Sequence, residues 1–407
     1  MKVLLVNTYA KSGGASIAAR RLCDALNGTG TETYLLVQNS EEIDNPFLMT
    51  PNDSWASVRP FLDTLPVLPW RKRRSPHWGN AWFDNTAVKR SINNFTPDVT
   101  HLHWVNHGML SLRDVADLRG PVVWTLHDSW VFTGGCHTPQ SCCKFQECCG
   151  ACPELYSRRE YDLSRWNWNR KHSEWESVKL VFVTPSRWLA DAARSSSLLS
   201  NRRIVVIPNA VDMLVFRQMD RKDARCALGL PENTPLFLFG AHGAATDWNK
   251  GMELWRKALP KVAARHPRAE AMLAGVPMGT LDEMPLPVHE LGRLDVERMA
   301  LAMSAADVVV VPSRMENLPT MVAESLACGT PVVAFATGGI PEMIRSGETG
   351  FLARPFDTDE LARGICELLI RGDTMRKDCA AFAQDAYAPK TVARRHIELY
   401  QSLLSQE

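Results

Sequence analysis

Strong charge of one sign is missing from this chain: its 407 residues sum to a net charge of only +1 at neutral pH. A general nucleic-acid binder needs a basic field to meet phosphate, so that class is set aside. Long apolar runs are missing too, and none approaches the roughly 18 residues of a membrane-spanning helix. The apolar opening Met1 to Val6 is too short for a secretory leader and runs into a turn. It reads as a first buried strand and points to a cytoplasmic protein. No G-x-G-x-x-G is present, so a nicotinamide cofactor is not indicated. Nor does any segment repeat at a fixed period.

What remains is an ordinary globular composition, 45% hydrophobic and 22% charged, long enough for two or three domains. The first half alternates strands with helices. Val3 to Val6, Thr33 to Val37, Asp98 to His103, Pro121 to His127, Leu180 to Val183 and Ile204 to Ile207 read as strands, and Ser16 to Leu26 as a helix. After Pro208 the pattern starts afresh with strands at Pro235 to Phe239, Ala269 to Ala274, His289 to Leu291, Val308 to Val311 and Val332 to Ala334. Helices at Met252 to Ala264 and Arg298 to Ala305 lie between them, and Pro389 to Ser405 is a last helix. Alternation of this kind implies βαβ units and parallel sheets. The expectation is an α/β chain of two Rossmann-like, doubly wound domains, 1–207 and 208–388, facing a central cleft, with 389–407 a C-terminal helix that returns to the first domain.

Glu316 and Glu324 carry most of the functional signal. Glu316 lies in the loop after the Val308–Val311 strand and Glu324 on the short helix that follows, ahead of Pro331 and Gly338-Gly339. Both therefore border the strand ends where open α/β sheets bind ligands. Lys250, in the loop after the first strand of the second half, is placed to neutralise a diphosphate as a point charge. His127 ends an apolar strand at the same kind of edge. Ser12-Gly13-Gly14-Ala15 precedes a helix, whose N-terminal amides attract phosphate.

Together these residues resemble the retaining, two-domain GT-B glycosyltransferases of family 4, the group 1 glycosyl transferases. The resemblance covers almost the whole chain and is most specific from Glu316 to Glu324. Pro208-Asn209-Ala210-Val211-Asp212, Lys250-Gly251 and Gly338-Gly339-Ile340-Pro341-Glu342 support it. The nearest look-alikes assemble bacterial exopolysaccharide, including the colanic-acid type. The resemblance implies that Glu324 holds the donor ribose, with Glu316 beside the donor sugar and Asn317 and Leu318 offering backbone amides. It implies Lys250 on the diphosphate, His127 near the transferred sugar, and Gly13 and Gly14 in a loop closing over it. Many members carry an arginine soon after the first strand of the second domain. Here that stretch, 240–246, has none, so either His242 substitutes or the diphosphate rests on Lys250 and helix dipoles. The implied reaction moves a sugar, with retention, from a nucleotide-diphosphate sugar to a lipid-linked oligosaccharide, with no metal or cofactor in catalysis. A non-catalytic scaffold of a polysaccharide-assembly complex is the rival. An epimerase or hydrolase of nucleotide sugars lacks a nicotinamide fingerprint and an identifiable water-activating group.

Two segments stand apart. Six cysteines crowd between 136 and 152. Cys149 and Cys152 form a C-x-x-C pair, and Cys136 and Cys142 supply two more thiolates, a set that fits a closed, structural tetrahedral zinc site. Cys143, Cys148 and His137 are spare. An iron–sulfur cluster and disulfides are the alternatives, the latter disfavoured in a reducing cytoplasm. Between Trp55 and Trp82, aromatic residues interleave with Arg71, Lys72, Arg73 and Arg74. That mixture suits peripheral contact with an anionic inner-membrane surface, or an exposed loop with snorkelling side chains.

Overall fold

The computed structural model describes residues 1–39, 45–70, 78–240, 247–276, 278–279 and 283–405. The chain divides into two units, Met1–Asn209 with Val392–Glu407, and Ala210–Thr391.

The first unit is built on one parallel sheet. Its strands are β1 (Lys2–Tyr9), β2 (Glu32–Asn39), β3 (Leu48–Met49), β4 (Val99–Leu102), β5 (Val122–Thr125), β6 (Leu180–Thr184) and β7 (Arg203–Val206), ordered 3-2-1-4-5-6-7. Val3 to Val6, Val99 to Leu102 and Val122 to Thr125 are buried. Such unbroken burial is what a sheet covered on both faces requires. The helix Pro389–Leu404 packs here through its last part: buried His396 and Tyr400 meet His101 of β4, and Tyr400 Oη lies 2.6 Å from His101 Nδ1.

The second unit repeats the plan with β8 (Leu236–Gly240), β9 (Glu270–Ala274), β10 (Val288–Gly292), β11 (Val308–Val311), β12 (Val332–Phe335) and β13 (Gly350–Ala353), ordered 10-9-8-11-12-13. All of these strand pairs are parallel. Three of its helices are capped by aspartates that accept from first-turn amides, Asp220 before Arg221–Leu228, Asp295 before Val296–Ala305 and Asp357 before Thr358–Arg371. In each unit the strand order reverses once, between β1 and β4 and between β8 and β11. Loops leaving the carboxyl ends of those neighbours splay apart there, which opens the crevice of a doubly wound sheet.

Of the interleaved aromatic segment, Arg71, Lys72, Arg73 and Arg74 fall outside the described residues. Trp55 and Phe61 are each 60% exposed, and Val58 and Leu68 are exposed as well. Trp78 is not part of that surface. It is buried against Val67, Cys152 and Leu155, its indole N–H donating to Asn80 Oδ1 at 3.1 Å. Among the described residues, no helix is long and apolar enough to cross a membrane.

Candidate active site

In the second unit three loops converge beyond β8, β11 and β12. Asp247 caps the turn Trp248–Lys250 by accepting from Asn249 N at 2.9 Å. The Asn249 side chain then clasps Met315 on both sides, donating to its carbonyl at 2.7 Å and accepting from its amide at 3.0 Å. Gly251 (φ 72°) lets this loop press on the next, since a Cβ there would stand 1.9 Å from the Pro312 carbonyl oxygen. Gly338 (φ 58°) does the same from the third loop, with its imagined Cβ 2.0 Å from the Glu316 carbonyl, which also accepts from Gly339 N at 2.9 Å.

This clamp presents Lys250 to Glu316, the ammonium donating to Oε1 at 2.7 Å. Burial alone would lower the lysine's pKa, but the Glu316 carboxylate outweighs it and holds the pKa above its usual value. A cation and a carboxylate thus stand where the strand order reverses, one on the loop after β8 and one on the loop after β11. Asn317 and Leu318 follow, half-buried, and Glu324 lies on the helix Thr320–Ala327 with its side chain largely buried (8% exposed). His242 lies outside the described residues.

In the first unit, Gly13 (φ 86°) precedes the helix Gly14–Asn27, and neither Gly13 nor Gly14 has a neighbour within 4 Å of an imagined Cβ. Buried Asn7 and Thr8 lock the exits of β1 and β4 together. Asn7 accepts from Trp104 N at 2.9 Å, and Thr8 donates to the Trp104 and Asn106 carbonyls at 2.9 and 2.8 Å. Tyr9 and Trp104 stack at 5.8 Å, and Tyr9 Oη lies 2.5 Å from His107 Nδ1.

His127 is half-buried two residues past β5, with Nε2 2.9 Å from His103 Nδ1. The other ring nitrogen of His103 is buried without a hydrogen-bond partner among the described residues. A bare lone pair is cheaper to leave there than an N–H, so His103 donates and His127 Nε2 accepts. Burial keeps His127 neutral by lowering its pKa to about 4, against the pull of Asp128. Asp128 in turn accepts from His137 Nδ1 at 2.7 Å and Trp104 Nε1 at 3.1 Å. Its burial favours the neutral acid, but His137 and the Trp130 amide overcome that and depress its pKa. His137, one of the spare residues of the sequence reading, is therefore engaged at the sheet edge.

The structure brings Lys250 and Glu316 together and places Glu324 on the adjoining helix. In the other unit it gathers His127 and the spare His137 with residues that the sequence did not mark: Tyr9, His103, Trp104, His107 and Asp128. Their signal was position, because each closely follows the apolar run of β1, β4 or β5, or lies in the loop after it.

The cysteine loop lies in the first unit. Cys136, Cys142, Cys149 and Cys152 line one cavity, Cys143 is exposed, and no two cysteines are joined in a disulfide. Burial raises the thiol pKa of Cys149 to about 11 and of Cys152 to about 12, and pushes that of Cys136 up as well. As thiols they are poor nucleophiles.

Residues 236–371 match the family model for glycosyl transferases group 1, and residues 12–213 match that for glycosyltransferase family 4. A D-inositol 3-phosphate glycosyltransferase of Geodermatophilus obscurus is 32% identical over 213 residues, 47% of each chain. One from Mycobacterium avium is 36% identical over 180 residues, 41% of each. The chain thus spans about half the length of the curated relatives it matches. Among solved structures, a sucrose-phosphate synthase from Thermosynechococcus elongatus superposes with TM-score 0.71 at 20% identity over the whole of both chains. Anabaena HepE in complex with UDP-glucose gives 0.66 at 18% over 99% of this chain and 100% of that one.

Proposed function

We infer, for a chain that belongs to the family 4, group 1 glycosyltransferases and has their GT-B fold, that it transfers a sugar from a nucleotide-diphosphate sugar to a carbohydrate. The observation carrying this is the Lys250–Glu316 pair, clamped by three loops at the strand-order reversal of the second unit. A scaffold has no physical need for a partly desolvated cation and carboxylate there. In this reading Glu324 holds the donor ribose, and the amides of Asn317 and Leu318 face the donor beside Glu316. Lys250 exchanges Glu316 for the diphosphate when the donor enters.

Cleavage builds positive charge on the sugar and negative charge on the leaving phosphates. Lys250 and the N-terminus of the helix Thr320–Ala327 stabilise the latter. Front-face substitution with retention is our hypothesis, with the leaving phosphate as base. The anomeric C–O bond to the diphosphate breaks, the bond to the acceptor oxygen forms on the same face, and the acceptor proton passes to the leaving phosphate. Gly13, Gly14 and His127 close the first unit's side of the transferred sugar.

For the acceptor, stacked Tyr9 and Trp104 offer apolar faces with polar edges, and Asp128 offers a carboxylate. The curated relatives are named for inositol 3-phosphate. A phosphate-bearing acceptor needs cations, whereas this cluster brings an anion, which favours a neutral sugar. A lipid-linked oligosaccharide at the inner membrane face, met through the exposed Trp55, Val58, Phe61 and Leu68, fits that reading. The basic run from Arg71 to Arg74 in the sequence makes stronger binding to anionic than to neutral vesicles the expected result.

The test is calorimetry against UDP-, GDP-, ADP- and TDP-sugars, followed by NMR of the product anomer. Binding of one nucleotide family, lost in Glu324→Ala, is expected. No binding to any of them returns weight to the scaffold, and an inverted anomer removes the front-face step.

A further inference from the structure

Apart from His137, the cysteine loop takes no part in the chemistry above. From Thr133 to Asp162 the chain has little regular structure: one 3-10 turn, Lys144–Gln146, and a single bridge from Cys136 to Trp78. Its apolar support comes from Phe145, buried in the first unit's core against Phe132, and from a satellite cluster of Trp78, Val67, Cys152 and Leu155. Yet the loop is held to a defined path. Long irregular segments in compact domains usually need such a tie.

Four cysteines separated by five, six and two residues come together around one cavity of about 20 Å³, enough for a single water-sized body. Cys143 and Cys148 are not in its lining. Between the last two of the four the chain makes a tight knuckle, with φ of 55° at Cys149, 108° at Gly150 and 41° at Ala151. Backbone N–H groups are aimed at the sulfurs. That of Gly134 donates to Cys149 Sγ at 3.2 Å, and those of Glu154 and Leu155 donate to Cys152. Amides directed at sulfur stabilise thiolates that bind a cation, as outer-shell hydrogen bonds do in metal sites.

We propose that Cys136, Cys142, Cys149 and Cys152 bind one Zn²⁺ in a closed tetrahedral tetrathiolate site. Among the described residues, no three His, Cys, Asp or Glu side chains yet meet at ion-holding distance. The sulfurs ring the cavity, and neutral thiols have nothing to pull them inward; a divalent ion draws all four to about 2.3 Å. The ion ties the loop down one residue before His137, which reaches Asp128 and whose carbonyl accepts from Ser129 N at 3.0 Å. It is thus a structural site that carries His137 to the sheet edge, and it stands whether or not the donor reading does.

The experiment is elemental analysis of the full chain purified anaerobically without chelator, together with a thiol count after denaturation. One zinc per chain is expected, retained in Cys143→Ser and Cys148→Ser and lost in Cys149→Ser/Cys152→Ser. Should the double variant fail to fold, Co²⁺ exchanged into the unaltered protein is expected to give the intense visible bands of a tetrahedral tetrathiolate. A metal-free chain with eleven free thiols overturns the proposal. So do stoichiometric iron, disulfides within 136–152, or zinc that survives loss of Cys149 and Cys152.

Discussion

Replacing Glu316 by glutamine keeps the side chain's shape and removes the charge that Lys250 faces at 2.7 Å. The clamp around it is made by Asn249, Gly251 and backbone groups, so the fold is expected to survive with a near-normal melting temperature. Turnover is expected to fall about 100-fold or more, the scale seen when one pre-positioned electrostatic group is removed. Steady-state kinetics beside a thermal melt checks this, and near-normal turnover in a folded variant means that Glu316 acts elsewhere. At this scale the sequence was most readable at strand-end loops, where it marked Lys250 and Glu316 on loops leaving the neighbouring strands β8 and β11. It was silent on the contacts of His101 with His396 and Tyr400, which form only because a helix from the far end of the chain packs beside β4. No local pattern encodes a partner 299 residues away, as Tyr400 is from His101.

The three loops of the second unit behave as one element because glycine sits where they touch. At Gly338 an alanine would have to keep φ near 58° and place its Cβ 2.0 Å from the Glu316 carbonyl. The conformation alone costs about 1–2 kcal/mol, and relieving the clash shifts the Glu316 loop. Gly338→Ala is therefore expected to lose stability and, more sharply, donor affinity; chemical denaturation and nucleotide titration measure the two. Retained affinity would detach this turn from the site. The Gly338-Gly339 pair was visible in the sequence, as were the apolar runs of β8, β9, β11 and β12. β13 was not, since its four residues open on Gly350 just after the Gly347 turn, which reads as loop. β3, two residues long, has no period to detect.

Acid should act unevenly on the whole molecule. Burial lowers His127 and His396 to about 4 and His101 and His103 well below 6.5, with Asp128 opposing at His127 and Arg395 reinforcing at His396. Between those values and 6.5 the unfolded chain binds more protons than the folded one. Stability is thus full above about pH 6.5 and is lost as pH falls toward 4, on the order of 3 kcal/mol for His396 alone. Eleven of the thirteen tryptophans belong to the first unit, so their fluorescence follows its unfolding. Urea midpoints read that way should fall steeply from pH 7 to pH 5, and a flat profile contradicts the buried-histidine account. The division into units has one more consequence. The second unit is a single stretch, 210–391, whereas the first needs residues 392–404 to cover His101. During synthesis the first unit's sheet emerges first and must wait, its histidine face uncovered, while the second unit is made and can fold. Chains that usually mature from their beginning onward would here mature from the middle, and a nascent-chain chaperone would find its longest-lived client in the half made earliest.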